Sequence, residues 1–187
     1  MPAVLLRGLE MLQKITDIDY GVPAYSAFTA SFSVAVAATD IFYIAGSTTK
    51  TIKISRLFYS AQQTAAAPEI ISLRKRSTAN TAGTAVATTK VPLDSTMPAA
   101  TALVQHYTAN PTVGTAIGSI WFGRVDIVAL ATSPLTGGFL GVEIDFLKIF
   151  GSPVILRGVA EGLSICHDTA AVGAGLVAHC GVIWTEE

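Results

Sequence analysis

Short segments in which apolar and polar residues alternate constrain the fold of this chain more than any other feature. In residues 50–60, Ile52 and Ile54 alternate with charged and hydroxyl side chains, and residues 142–149 repeat the pattern. Side chains two positions apart lie on the same face of a β-strand, so this period indicates strands with one buried face. About nine or ten such segments with turn residues between them predict an all-β fold, an antiparallel β-sandwich or jelly roll.

The remaining segments are assigned by the same period. Residues 158–167 and 176–184 are predicted to form a hairpin around the turn at residues 173–175. Residues 77–102 are rich in Ala and Thr and interrupt the pattern, which predicts a long surface loop. Further strands are predicted at residues 27–37 with Phe28 and Phe32 facing inward, 40–45, 69–76 with Ile71 and Leu73 inward, 103–107, 117–130 and 154–156.

The first residues of the chain carry a different period. Leu5, Leu9, Leu12 and Ile15 follow a helical spacing, and Gly21 and Pro23 end the pattern. We therefore predict an amphipathic N-terminal arm over residues 1–25 and a single β domain over residues 26–187. The arm either packs on its own domain or docks on a neighbouring subunit, because termini stay loose unless they are tied down.

Charge is scarce and unevenly distributed. Hydrophobic residues make up 51% of the chain and charged residues 13%, with a net charge of -1. This balance gives no general attraction to nucleic acid or membrane surfaces, and no run of 18 apolar residues predicts a membrane-spanning helix. Seven basic residues and one acid lie in residues 50–90, whereas residues 91–187 carry eight acids and three basic residues. These charges are either solvated strand faces or complementary patches that meet between subunits.

A search for catalytic and metal-binding patterns finds little. There is no phosphate-binding glycine loop and no nucleophile elbow. Cys166, His167, His179 and Cys180 have the residue types of a zinc site, but the predicted hairpin places the two cysteines on one face and the two histidines on the other. A Cys166–Cys180 disulfide is disfavoured for a chain assembled in the cytosol. We therefore predict no catalytic residue, no metal and no cofactor, and a protein that is not an enzyme.

Five segments of residues 38–187 carry a family resemblance, in the order ATDIFYIAGSTTKTIKISRLFYS, LRKRSTANTAGT, VPLDSTMPAATALVQHYTANPTVGTAIG, VILRGVAEGLSI and WTEE. They resemble a broad group of uncharacterised virion proteins of tailed bacteriophages and prophages, of the jelly-roll capsid decoration (cement) type. The resemblance implies a structural protein that is made in the host cytoplasm and lies on the capsid surface. It carries over no functional residue.

The expected function is therefore binding to the outside of the phage head, as a homotrimer that bridges major capsid protein subunits. The alternative is a tail or baseplate protein whose lectin-like jelly roll binds a host surface glycan. Trp121 and Trp184 fall within strand segments, where core packing is expected, and this disfavours the glycan site. The candidate interface residues are Leu5, Leu9, Leu12, Lys53, Arg56, Arg74 and Arg76.

Overall fold

Two antiparallel sheets packed face to face make up the part of the chain that the structure, a computed structural model, describes: residues 21–34, 38–63, 67–127, 141–168 and 175–187. The strands are β1 (Ala24–Phe28), β2 (Phe32–Ser33), β3 (Thr39–Ala45), β4 (Thr51–Gln62), β5 (Ala67–Arg76), β6 (Thr84–Ala87), β7 (Lys90–Pro92), β8 (Leu103–Ala109), β9 (Ala116–Ile127), β10 (Gly141–Asp145), β11 (Val154–Arg157), β12 (Gly162–His167) and β13 (Val177–Glu186). One short helix, α1 (Phe146–Phe150), follows β10.

Each sheet mixes strands from distant parts of the chain. Sheet A has the order β10, β4, β13, β1 and β7, with β11 also paired to β4 and β2 to β13. Sheet B has the order β6, β8, β3, β12, β5 and β9. The strand pairs in both sheets are antiparallel, which confirms the prediction of an all-β sandwich.

The core lies between the sheets and follows the predicted alternation in several strands. Ile52 and Ile54 of β4 are fully buried, and Ile71 and Leu73 of β5 face them from the other sheet. Trp184 is fully buried and its ring stacks on Tyr25 with the centroids 5.6 Å apart. Full burial of an apolar side chain contributes about 1.5–3 kcal/mol, so these inward positions determine the register of the strands.

The inward face of β1 differs from the prediction. Tyr25 and Ala27 are buried, whereas Phe28, which was predicted to face inward, is 54% exposed. The prediction of inward positions for Phe32 and Val34 is confirmed. An alternating pattern of small and large residues defines the period but not the buried face, and here the stacking of Tyr25 in the core selects it.

The predicted hairpin of residues 158–184 is wrong. Strand β12 lies between β3 and β5 in sheet B, whereas β13 lies between β4 and β1 in sheet A. The side chains of β12 are buried along its whole length. The backbone N–H and C=O groups of a buried strand need hydrogen-bond partners on both sides, and β3 and β5 of sheet B supply them.

The predicted strand at residues 142–149 ends early. Strand β10 stops at Asp145, whose carboxylate Oδ1 accepts a hydrogen bond from the backbone N–H of Lys148 at 3.0 Å and so caps α1. Gly151 ends the helix in the left-handed conformation (φ 68°) and donates to the carbonyl of Leu147. Phe146 stays buried, as the alternation predicted, although it lies in a helix.

Residues 77–102 are more ordered than the predicted surface loop. They contain β6, an edge strand of sheet B, and β7, an edge strand of sheet A. Lys90 donates from Nζ to the carbonyls of Ala100 (2.9 Å) and Ala102 (2.8 Å), which holds the following segment against β7. The predicted arm, apart from its last residues, lies outside the described residues.

Candidate interaction surfaces

Two basic residues of sheet A, Lys53 and Arg56, are paired with acidic residues of the same chain. Lys53 of β4 forms an ion pair with Glu187 at the end of β13. Arg56, also on β4, contacts Glu143 through Nη1 and Asp145 through Nε, each at 3.2 Å. Strand β10 pairs with β4, and its register sets Asp145 directly beside Arg56.

Sheet B repeats this arrangement. Arg74 of β5 forms an ion pair with Asp168, which follows β12, and Lys75 lies 3.6 Å from Glu161. Strand β12 pairs with β5, so the two segments meet through the sheet itself. Four of the basic residues in residues 50–90 are therefore paired with acids from the second half of the same chain. The four basic candidate residues keep little charge for a partner.

Arg76 is not a surface residue, and its placement among the interface candidates is wrong. Its side chain is 3% exposed and forms a two-pronged ion pair with Asp40 of β3, with Nε 2.6 Å from Oδ2. Its Nη1 also donates to the carbonyl of Gly114 at 2.6 Å, and Asn80 donates to Asp40 at 2.8 Å. The loop before β6, which contains Asn80, and the loop after β8, which contains Gly114, thus close over the ion pair.

Asp40 collects further hydrogen bonds beneath these loops. Ser164 donates to Oδ2 at 2.6 Å, and the thiol of Cys166 donates to Oδ1 at 2.8 Å. Burial by itself raises the pKa of Asp40, but hydrogen bonds from Arg76, Cys166, Ser164 and Asn80 lower it below its usual range. Burial and the neighbouring carboxylate raise the pKa of Cys166, so this thiol is protonated and a poor nucleophile.

A second buried polar cluster lies between the sheets. The hydroxyl of Tyr59 is 3.0 Å from Nε2 of His167, and Nδ1 of His167 is 3.8 Å from a carboxylate oxygen of Glu69. All three side chains are nearly inaccessible to solvent. Burial lowers the pKa of His167 to about 4, so the imidazole is neutral at pH 7 and its contact with Glu69 is not an ion pair. A substrate cannot reach this cluster without opening the sandwich.

The four residues with zinc-ligand chemistry are dispersed. Cys166 and His167 belong to sheet B, and His179 and Cys180 belong to sheet A. Both cysteines are free thiols. The reason given for separating them, opposite faces of one hairpin, is wrong, since no such hairpin forms. In the part of the chain that the structure describes, no group of three or more His, Cys, Asp or Glu side chains is placed to hold a metal ion.

A polar cleft of about 230 Å³ opens beside the Asp40 cluster. Arg74 and Arg76 line it, but each is paired with a carboxylate, Asp168 and Asp40, that lines the same cleft. The two positive charges are therefore balanced locally. This arrangement offers no excess positive charge to an anionic ligand.

Exposed apolar side chains gather along β9, the last strand of sheet B. Phe122 is 75% exposed and Ile117 is 60% exposed. Phe122 pairs with Ser72 and Arg124 pairs with Ile70, so Phe122 and the exposed Ile70 are diagonal neighbours on the outer side of the sheet. Among the described residues, β9 has β5 as its only neighbouring strand. We call Ile70, Ile117 and Phe122 the β9 surface.

Sheet A has its own apolar surface on the side away from the core. Strands β1, β13 and β4 set Phe28, Gly181 and Phe58 in one row, and the ring of Phe28 lies so close to Gly181 that a Cβ there would be 2.3 Å from it. The Phe28 and Phe58 centroids are 5.3 Å apart. We call this surface the outer face of sheet A; its apolar residues are Phe28, Phe58, Val91, Leu93 and Ile183.

Neither apolar surface was identified from the sequence. A signal for the β9 surface is present, because residues 116–122 (AIGSIWF) form an uncharged, proline-free run of strand-forming residues. Proteins cover or charge such an edge strand, since its free backbone groups invite pairing. The outer face of sheet A has no comparable signal, because it depends on which face of β1 is buried.

Comparison of the chain with protein-family models, with curated proteins and with solved structures finds no match. No helix among the described residues has the length and apolar character needed to cross a membrane.

Proposed function

We propose that this protein is a structural virion protein, a decoration or cement protein that binds the outside of a tailed phage head. It stabilises contacts between major capsid protein subunits and acts as a homotrimer with jelly-roll connectivity. It is made in the host cytoplasm and resides on the capsid surface. It uses no catalytic residue, cofactor, nucleic acid or membrane.

The observation that carries the proposal is the β9 surface beside a set of internally paired charges. Phe122 and Ile117 expose more than half of their surface on a strand that is at the edge of sheet B among the described residues, and an exposed edge makes an isolated protein prone to association. Lys53, Arg56 and Arg74 are already paired within the chain. Binding through such a surface relies on the burial of apolar area, as in stable protein–protein interfaces.

The alternative, a glycan-binding tail protein, gains no support from the tryptophans. Trp184 is fully buried against Tyr25, and Trp121 packs against the core. Neither ring is presented on a loop, where a sugar could stack on it.

The test is co-sedimentation with empty shells assembled from the major capsid protein encoded in the same genome. We expect the protein to pellet with the shells and Phe122→Asp to weaken binding about tenfold or more, since a buried aromatic side chain contributes about 1.5–3 kcal/mol. Val159→Asp is the matched control, because Val159 is 54% exposed but distant in sequence from β9. Absence of the wild-type protein from the pellet, or its detection on the tail of intact particles, would overturn the proposal.

A further inference from the structure

The outer face of sheet A exposes several large apolar side chains close to one another. Phe28 is 54% exposed, Val91 51% and Leu93 60%; Phe28 and Val91 lie on the adjacent strands β1 and β7, and Leu93 follows β7 directly. Val91 pairs with Ser26, and the backbone N–H of Leu93 donates to the carbonyl of Ala24 at 2.8 Å, so the row continues to the beginning of β1. An apolar patch of this kind marks a contact surface.

The chain itself supplies a segment that matches this face. In residues 1–20, which precede the described structure, Leu5, Leu9, Leu12 and Ile15 have the spacing that predicts the apolar stripe of an amphipathic helix. A helix from Leu5 to Ile15 is about 16 Å long at 1.5 Å per residue. Strand β1, with five residues, spans about the same distance at 3.3 Å per residue.

The tether between the segment and the face is short. Eight residues separate Ile15 from Ala24, the first residue of β1, and at about 3.3 Å for each of the nine steps they span roughly 30 Å when extended. The chain turns at Gly21 and bends at Val22, shortly before β1 begins at Ala24. A short tether gives the segment an effective concentration in the millimolar range at this face, which favours the segment of the same chain over that of another.

We propose that residues 1–20 pack on the outer face of sheet A of their own chain, with Leu5, Leu9 and Leu12 against Phe28, Val91 and Leu93. The proposal decides between the two positions that the sequence left open for the arm. It does not depend on the virion function. It leaves the β9 surface as the surface that binds partners.

The first test is a disulfide cross-link in the full-length chain. We expect Leu9→Cys combined with Val91→Cys to form an intrachain disulfide on mild oxidation, seen as a faster monomer band on a non-reducing gel. Cys166 and Cys180 are buried and do not compete. The matched control combines Leu9→Cys with Phe122→Cys on the other sheet, and we expect no intrachain disulfide there. Disulfide-linked dimers of the Val91 pair would assign the face to a second copy and overturn the proposal, as would equal or no cross-linking in both pairs.

The second test needs no engineered cysteine. Trypsin can cut residues 1–20 after Arg7 and Lys14, and docking protects both sites. We expect Phe28→Asp and Leu9→Asp each to speed this cleavage about tenfold, because each removes one large apolar contact. Leu9→Asp leaves residues 21–187 unaltered, so its effect does not reflect misfolding of sheet A. Phe122→Asp is expected to leave the rate unchanged. Rapid cleavage of the wild-type segment, or equal cleavage rates in all variants, would show that residues 1–20 do not pack on the outer face of sheet A.

Discussion

At the scale of single residues, the Asp40–Arg76 pair is the interaction whose loss costs most. Both side chains are almost fully buried, and Asp40 accepts further bonds from Asn80, Ser164 and Cys166. Removing one partner leaves the other as an unpaired charge in the protein interior. We expect Asp40→Ala to lower the free energy of unfolding by about 3–5 kcal/mol, measured by urea denaturation.

Two variants check that interpretation. Asp126→Ala breaks the ion pair with Arg124, in which the Arg124 side chain is 65% exposed and the Asp126 side chain 74%. We expect this change to lower the free energy of unfolding by less than about 1 kcal/mol. The double variant Asp40→Leu with Arg76→Met removes both buried charges and should be more stable than Asp40→Ala alone. A double variant less stable than the single one would show that the pair itself, not an orphaned charge, determines the loss.

His167 makes the stability of the protein depend on pH. Burial lowers its pKa from 6.5 to about 4, so the unfolded chain binds more protons than the folded protein between these values. Stability therefore falls as the pH falls from about 6.5 to about 4, and a shift of this size corresponds to about 3 kcal/mol. We expect His167→Gln to remove this part of the slope, measured as the free energy of unfolding in urea between pH 7 and pH 4.

Burial also lowers the pKa of His106, so part of the pH dependence is expected to remain in His167→Gln. A second histidine variant is needed to show that the change comes from His167. His179→Gln is the control, since His179 is exposed on sheet A. We expect its stability profile to follow that of the wild type. If His167→Gln keeps the full wild-type slope, the imidazole of His167 is not the group that titrates.

At the scale of elements, the strands were predictable where one face is buried and unpredictable where tertiary pairing decides. Strand β4 alternates with a clear period, and Ile52 and Ile54 are buried as predicted. Strands β12 and β13 are consecutive in sequence, which suggested a hairpin, but they join different sheets. The carboxylate of Asp145 ends β10 by capping α1, an effect that alternation cannot reveal.

The charged residues show the same limit. Arg76 and Arg74 look alike in the sequence, yet Arg76 is buried against Asp40 and Arg74 is partly exposed beside Asp168. Asp40 is 36 residues from Arg76, and only the β3–β12–β5 order of sheet B brings them together. The uneven charge of the sequence was therefore a correct observation, but its explanation lies in pairing across strands.

The side chain of Glu186 on β13 binds the segment that follows β7. The carboxylate of Glu186 accepts hydrogen bonds from the backbone N–H groups of Thr101 (2.9 Å) and Ala102 (3.0 Å), from the Thr101 hydroxyl (2.6 Å) and from Nε1 of Trp184 (2.9 Å). We expect Glu186→Ala to lower the free energy of unfolding by about 2–3 kcal/mol, because hydrogen bonds to a charged group are strong and buried donors lose their acceptor.

The neighbouring residue is the matched control for that prediction. Glu187 forms an ion pair with Lys53 in which both side chains are about one third exposed, and Glu187→Ala is expected to cost less than about 1 kcal/mol. Thermal unfolding of the two variants measures the difference. Equal losses would show that the chain end, and not the buried carboxylate, holds the segment in place.

At the scale of the whole molecule, the ion pairs that the described residues form join side chains of one chain, including Arg124 and Asp126 on β9. The β9 surface exposes large apolar side chains, and we propose that it contacts other chains. An interface between complementary charged patches would weaken in salt, since the Debye length falls from about 10 Å at 0.1 M to about 3 Å at 1 M. Burial of apolar area is not screened in this way.

The proposed homotrimer should therefore resist salt. We expect sedimentation velocity to give the same oligomer at about 0.1 M and about 1 M NaCl, with a dissociation constant that changes less than about threefold, because the ion pairs are intramolecular. Phe122→Asp should dissociate the oligomer at both salt concentrations, since it places a charge on the edge strand through which the copies associate. Dissociation of the wild-type protein at high salt alone would instead favour complementary charged patches between subunits, and would assign the contact to Lys53, Arg56 and Arg74 rather than to β9.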